Sequence, residues 1–328
     1  MSQKKKVKVA LIGAGSMATQ HAKAFAALPD VELCGIHSRT KERANKLCQQ
    51  HPSMCYYASV AELFMQTQAD IVVVAVSISA MRDVAFECFR QPWLVLLEKP
   101  AGINYKEAGD IYKAAAEADC NVYVGLNRRA LSSTRQVLDR LEQNSSEKRF
   151  VTVLDQQDQE AARNVHGHPL EVANNLMYGN SIHLIDYFNT LCRGSVTQVE
   201  SIIPWDPDSP GYVVAKINYS SGDVGLYEAN WQGPGPWAVS VSTGQRRLEM
   251  RPLEQATEQL RGQRGVTAFP IDSADSNYKP GFLYQASQAV AAAKGKVAKL
   301  PTLADSFKTM QLIAAIYGHD NNLLDNND

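Results

Sequence analysis

The sequence predicts a two-part α/β chain: a doubly wound parallel sheet, then an α+β domain with a large, mostly antiparallel open sheet. Three observations carry this. Strand and helix patterns alternate at short spacing from Val7 to Val124, as in parallel sheets covered on both faces. A glycine turn, Gly13-Ala14-Gly15, joins the first apolar run to the first helix. Beyond Val124 the rhythm changes to longer strands separated by turn signals such as Ser221-Gly222 and Thr243-Gly244. With 328 residues there is material for two cores, and the boundary is expected at 124/125.

The totals exclude several classes. Lys plus Arg number 33 against 34 Asp plus Glu, so no net field draws the chain to nucleic acid or an anionic membrane. No apolar run reaches the ~20 residues of a membrane span. The lysines at 4–6 precede an apolar stretch too short for a signal peptide; they read as a solvated leader, and a cytoplasmic protein is expected. The six cysteines contain no C-x-x-C pair. His166 and His168 are the only close histidines, without a nearby third ligand, so no metal is expected.

In order, strands are expected at 7–12, 31–36, 54–57, 70–76, 94–97 and 121–124. Helices fall between them at about 16–28, 41–49, 60–66, 80–90 and 105–118. The run Val7–Ile12, the glycine turn and the helix from Ser16 match G-x-G-x-x-A in the context that gives the motif meaning. Glycine leaves room for bare backbone against a pyrophosphate, and the N-terminal N–H groups of the helix would hold that anion. Gly13, Gly15, Ser16, Met17 and Ala18 are therefore candidate cofactor contacts, with Val76 closing the fourth strand.

The end of the second strand meets the adenosine ribose in such folds. Here it reads His37-Ser38-Arg39-Thr40-Lys41, with no acid. A hydroxyl and a guanidinium suit a 2′-phosphate, so Ser38 and Arg39 favour NADP(H), with NAD(H) the alternative. The fifth strand ends in Glu98-Lys99-Pro100, facing the nicotinamide side of the crevice. A lysine partly buried there has its pKa lowered toward proton work.

The second half opens on Asn127-Arg128-Arg129 and a helix over about 132–143. Strands are expected at 150–155, 196–203, 212–219, 223–231 and 237–250, and closing helices near 282–293 and 303–317. Thr302 and Asp305 offer a capping box to the last helix. Asn180, His183 and Asp186 share one helix face, a polar stripe suited to a proton donor over a bound alcohol or ketone.

Lys99 and His183, with the glycine turn, the Asn127-Arg128-Arg129 crossing and Thr302-Leu303-Ala304-Asp305, resemble the glucose-fructose oxidoreductase and inositol dehydrogenase family, Gfo/Idh/MocA. The resemblance implies a Rossmann domain followed by a domain for substrate binding and oligomerisation. It further implies hydride transfer between nicotinamide and a carbon of a sugar, inositol or nucleotide-sugar. On it, Lys99 and His183 are catalytic, and Glu98, Pro100 and Asn127 seat the cofactor. Arg128, Arg129, Asn180 and Asp186 meet the substrate, a carbohydrate-like small molecule, and the protein is a homo-oligomer, dimer or tetramer. One position departs: many members have an aspartate four residues before the histidine, and here it is Gly179. That departure keeps two other readings open, a non-catalytic dinucleotide-binding regulator and a redox-neutral enzyme that retains its cofactor. The polar loop 156–175, with Arg163, His166 and His168, is expected over the substrate. Trp205, Trp231 and Trp237 are candidate stacking faces for a sugar.

Overall fold

The structure, a computed structural model, describes residues 5–143 and 146–319, so the first residues of the expected leader lie outside the described residues. The first part runs β1 (Val7–Ile12), α1 (Ser16–Ala26), β2 (Val31–His37), α2 (Lys41–Gln50), β3 (Cys55–Tyr57), α3 (Val60–Thr67), β4 (Ile71–Val74), α4 (Met81–Cys88), β5 (Leu94–Leu97), α5 (Tyr105–Glu117) and β6 (Val122–Val124). Six parallel strands lie in the order β3-β2-β1-β4-β5-β6, so the winding reverses between β1 and β4. Every residue of β4 and β5 is buried, which explains why their sequences lack polar alternation. Local chemistry starts α3 and α5: the Ser59 hydroxyl accepts from Glu62 N at 3.0 Å, and Asn104 Oδ1 accepts from Glu107 N at 3.0 Å.

Next come α6 (Ser132–Glu142), β7 (Phe150–Gln156), α7 (Gln159–Asn164), α8 (Leu170–Asn174), α9 (Leu176–Gly179), α10 (Ile182–Leu191), β8 (Val196–Ile203), β9 (Tyr212–Tyr219), β10 (Val224–Asn230), β11 (Ala238–Ser242), β12 (Arg246–Met250), β13 (Ala256–Leu260) and β14 (Thr267–Ala268). The eight strands order β14-β13-β12-β11-β7-β10-β9-β8. All pairs are antiparallel except β7 with β10. Burial alternates along β7 and β9, with Val151, Val153, Val213, Ala215 and Ile217 inward. Helix α10 covers that inner face, where Phe188 meets Tyr227 edge-on at 6.5 Å.

Two expectations are refined here. The single strand at 237–250 is a hairpin, β11 and β12, because Thr243 N donates to Arg246 O at 2.8 Å and closes a turn. The loop 156–175 contains α7 and α8; Asp158 Oδ1 accepts from Ala161 N at 2.7 Å and starts the former.

The chain closes with α11 (Ser273–Asn277), α12 (Phe282–Ala293) and α13 (Leu303–Ile316). Thr302 and Asp305 form the expected reciprocal cap: Asp305 Oδ2 accepts from Thr302 N at 2.9 Å, and Thr302 Oγ1 accepts from Asp305 N at 3.1 Å. The compact units are not the two halves of the sequence. One holds the chain up to Ala130 together with Ser273–Ser306; the other holds Leu131–Asp272 and the residues from Phe307. The cause of the return is packing: Phe282, Ala286, Ala289, Val290 and Leu300 complete the core that contains Val9, Phe25, Val73 and Leu96.

Candidate active site

Register collects the first group of candidates on one edge. Ile12 lies level with His37 and Val74, Val74 with Leu97, and Leu97 with Val124. The residues that follow these strand ends, Gly13, Ser38, Val76, Glu98 and Asn127, therefore leave from the carboxyl edge of the sheet, where such folds bind ligands at the reversal of strand order.

The two glycines do different work there. Gly13 has φ +104°, and a Cβ would stand 2.1 Å from the Ala75 carbonyl oxygen, so the fold itself demands glycine. At Gly15 a Cβ would meet nothing within 4 Å; the space is open, as a bound pyrophosphate requires. Gly15 is also the N-cap of α1, which has no side-chain cap and no acid in its first turn. Its N–H groups and dipole suit an anion. The residues thus fit a dinucleotide: Gly13–Ala18 for its phosphates and the β2 end for its adenosine ribose. At that end Ser38 is buried, its Oγ accepting from Thr40 N at 3.2 Å, while Arg39 is exposed. Lys41 sits over the Tyr56 ring at 5.4 Å.

Glu98 leaves β5 buried, 6% exposed, and its Oε1 lies 2.6 Å from His21 Nε2 on α1. His21 also packs on Phe282 with ring centroids 4.6 Å apart. Sequence reasoning missed His21, although its place five residues into the helix after the glycine turn is the available signal. Lys99 follows, joined to Pro100 by a cis peptide bond. Burial brings the Lys99 ammonium from the usual 10.5 to about 8; Glu98 pulls the value up, and Arg128 and Lys279 push it down. Lys279 is a second residue that the sequence did not single out. The Asn127 side chain donates to Pro280 O at 2.9 Å, pinning the turn of Arg128 and Arg129 beside the segment that bears Lys279.

Asn180, His183 and Asp186 belong to the other unit, on and just before α10. His183 is 7% exposed, and its ring lies 6.4 Å from Trp237. The Trp237 indole donates to Gln156 O at 3.0 Å. Of the three tryptophans, Trp237 is the one placed beside His183. Trp231 is buried and packs at a tilt against Trp205, ring centroids 4.4 Å apart, so it has no face to offer a sugar. Asp186 is buried, its Oδ1 accepting from Thr309 Oγ1 at 2.7 Å. The Asn180 amide donates to Gln157 Oε1 at 2.9 Å. Arg163, His166 and His168 are exposed. Among the described residues, no group of three or more His, Cys, Asp or Glu could hold a metal ion, and no helix is long and apolar enough to cross a membrane.

A profile of the Gfo/Idh/MocA oxidoreductase family, described as having an NAD-binding Rossmann fold, matches residues 7–126. Residues 7–126 therefore match the dinucleotide-binding fold of that family. A curated relative, 4-carboxy-2-hydroxymuconate-6-semialdehyde dehydrogenase of a Sphingobium species, is 20% identical over 196 residues. That match spans 60% of this chain and 62% of the relative. Among solved structures, a dehydrogenase from Chromobacterium violaceum superposes with TM-score 0.82 at 18% identity, covering 97% of this chain and 96% of its own. Levoglucosan dehydrogenase, in complex with NADH and levoglucosan, gives 0.81 at 16% identity, covering 97% and 98%. UDP-N-acetylglucosamine 3-dehydrogenase of Acidithiobacillus ferrooxidans gives 0.77 at 15%, covering 97% and 99%. At these identities the likeness is one of fold, and it extends over both parts of the chain.

Proposed function

We propose that the protein is an NADP(H)-preferring oxidoreductase that interconverts an alcohol and a ketone on a sugar, inositol or nucleotide-sugar. The observation that carries this reading is Lys99: a lysine leaving a buried strand at the cofactor edge, its pKa brought to about 8. When bound, the nicotinamide supplies the hydride acceptor or donor at its C4. Lys99 then hydrogen-bonds the reacting oxygen and steadies its charge, and His183 exchanges the proton that must leave or join that oxygen. Glu98, held by His21, pulls the Lys99 value up, and Arg128 pushes it down; together they tune Lys99 to working pH. Arg128 and Arg129 suit a substrate bearing an anionic group, and the curated relative is named for a carboxylated compound. Ser38 and Arg39, with no acid at the end of β2, support the preference for NADP(H).

The outer face of the second sheet supports a homo-oligomer. Leu154, Val214 and Leu226 share that face half-buried, with Phe150 and Tyr212 exposed beside them. A second copy of this face is the occupant proposed, and light scattering of wild type against Leu226→Glu tests it.

The deciding experiment follows nicotinamide absorbance with myo-inositol, levoglucosan and UDP-N-acetylglucosamine, and with sugar ketones in the reverse direction. Turnover by wild type that is lost in Lys99→Met is expected. Tight NADPH binding without turnover of any of these compounds would overturn the reading in favour of a regulator or a cofactor-retaining enzyme, which slow nicotinamide exchange would separate.

A further inference from the structure

Asp155 has no role in the reading above, yet it is a buried acid whose two oxygens each accept a side-chain hydrogen bond. It lies on β7 in step with Val151 and Val153, on the core face, 3% exposed. Burial pushes its carboxyl pKa up, while hydrogen bonds from Tyr227 and Gln157 pull it back. The measured partners are neutral donors: Gln157 Nε2 at 2.7 Å to Oδ1, and the Tyr227 hydroxyl at 2.7 Å to Oδ2.

The direction of each bond follows from what the groups can give. An indole N–H only donates, so the Trp231 Nε1 contact at 3.2 Å makes Tyr317 Oη an acceptor. The Tyr317 proton then goes to Tyr227 Oη, 2.9 Å away, and the Tyr227 proton goes to Asp155. Burial beside Asp155 holds both phenols protonated, so they remain donors. On the other side Asp155 Oδ1 accepts from the NH2 end of the Gln157 amide. Gln157 must therefore present its carbonyl to Asn180, whose Nδ2 donates to it at 2.9 Å. The amide of Asn180 is thereby oriented with its own carbonyl oxygen turned away from Gln157.

We propose that Asp155 is a positioning residue: through Gln157 it fixes the Asn180 amide so that Oδ1 is offered as an acceptor to a hydroxyl of the substrate. This rests on the oxidoreductase reading. It supplies an acceptor at the entrance to α10, whose His183 N donates to Asn180 O at 3.2 Å, next to Gly179, which has no side chain to give one. A neutral amide oxygen, held by a buried carboxyl group two links away, accepts where a carboxylate otherwise would.

The polarity can be reversed, and the reversal is the test. In Asp155→Asn the Tyr227 proton still needs an oxygen, so the new NH2 faces Gln157 and turns it. The turned Gln157 then gives its NH2 to Asn180, which presents NH2 outward. Asn180→Asp alone sets a carboxylate against the Gln157 carbonyl. Together the substitutions restore a consistent row ending in an outward oxygen. With NAD(P)+ and whichever of myo-inositol, levoglucosan and UDP-N-acetylglucosamine wild type oxidises, each single variant should raise KM about tenfold with a smaller change in kcat, and the double variant should return KM to within about threefold of wild type. A double variant no better than the worse single one, or an unchanged KM in Asp155→Asn, would overturn the assignment. A readout free of turnover is the Asn180 side-chain NH2 resonance in asparagine-labelled holoenzyme, identified by its loss in Asn180→Asp. It should move in Asp155→Asn, and a fixed resonance would also overturn the assignment. Failure of wild type to oxidise any probe would sink the oxidoreductase reading instead, leaving the resonance to judge the relay.

Discussion

Methionine in place of Lys99 removes a charge that burial disfavours while keeping most of the side chain's length, and the energetic consequence can be worked from the pKa. The ordinary value is 10.5, and in the folded chain it is about 8. At ~1.4 kcal/mol per pKa unit, that gap means the folded state holds the proton about 3 kcal/mol less willingly than the unfolded state. Between the two values the unfolded chain binds more protons, so stability rises with pH there. The cost is complete below about pH 8 and gone above 10.5. Lys99→Met should therefore stabilise the cofactor-free protein at pH 7 by up to about 3 kcal/mol, raising Tm by about 5 °C, and the gain should shrink as pH climbs toward 10.5. The same substitution should lower hydride transfer by about 10²- to 10⁴-fold. Calorimetry across that pH range is the assay. A variant less stable than wild type at pH 7, or a difference that does not change with pH, would refute the assignment of Lys99 as a partly buried cation that the fold disfavours.

The two glycines of the first turn should separate cleanly. Gly13→Ala meets the Ala75 carbonyl and should cost several kcal/mol or abolish folding, read by circular dichroism. Gly15→Ala has open space and should leave Tm within about 2 °C but weaken dinucleotide binding at least about tenfold, read by calorimetric titration. Arg39→Ala should weaken NADPH binding more than NADH binding; equal affinity of wild type for both would sink the preference. Asp223 is wholly buried, and although burial pulls its pKa up, bonds from Arg193 and Arg149 hold it below the usual value. Its contribution is present above pH 3.8 and is lost as pH falls through the lowered folded value. Asp223→Asn should cost about 3 kcal/mol at pH 7, and urea titrations should show the deficit closing as the solution is acidified through that range.

The first sheet was legible because its central strands β4 and β5 are buried at every residue and α3 and α5 carry their own side-chain caps. The second sheet was legible where burial alternates, as in β9, and illegible at β13, where Ala256-Thr257-Glu258-Gln259-Leu260 is mostly half-exposed and shows no period. At the site, chemistry in the strand ends was readable: Glu98, Lys99 and Ser38 stand where the chain leaves the sheet. Lys279 and His21 were not, because each owes its place to packing from another stretch: α12 on α1 for His21, and the Asn127 bond to Pro280 for Lys279. Asp155 could have been found, since it keeps step with Val151 and Val153 and so falls on the core side of its strand. An acid in a valine's register is a signal that propensity alone does not weigh. Trp231 shows the opposite failure: its residue type suggested a stacking face, and burial removed it.

The return of Ser273–Ser306 to the first unit has a consequence for how the protein is made. A ribosome delivers β1 through β6 early, but the apolar wall that Phe282, Ala286, Ala289 and Val290 complete is not yet written. Until about 170 further residues have emerged, that wall is bare, and the nucleotide unit waits, unfinished, for a helix encoded after nearly all of its neighbour. The part of the chain born first is completed only after residues 131–272 have been made. A gene fragment cut at Ala130 therefore ends before the wall it needs, and one that lacks only Leu131–Asp272, with a short linker in their place, has every piece of that core.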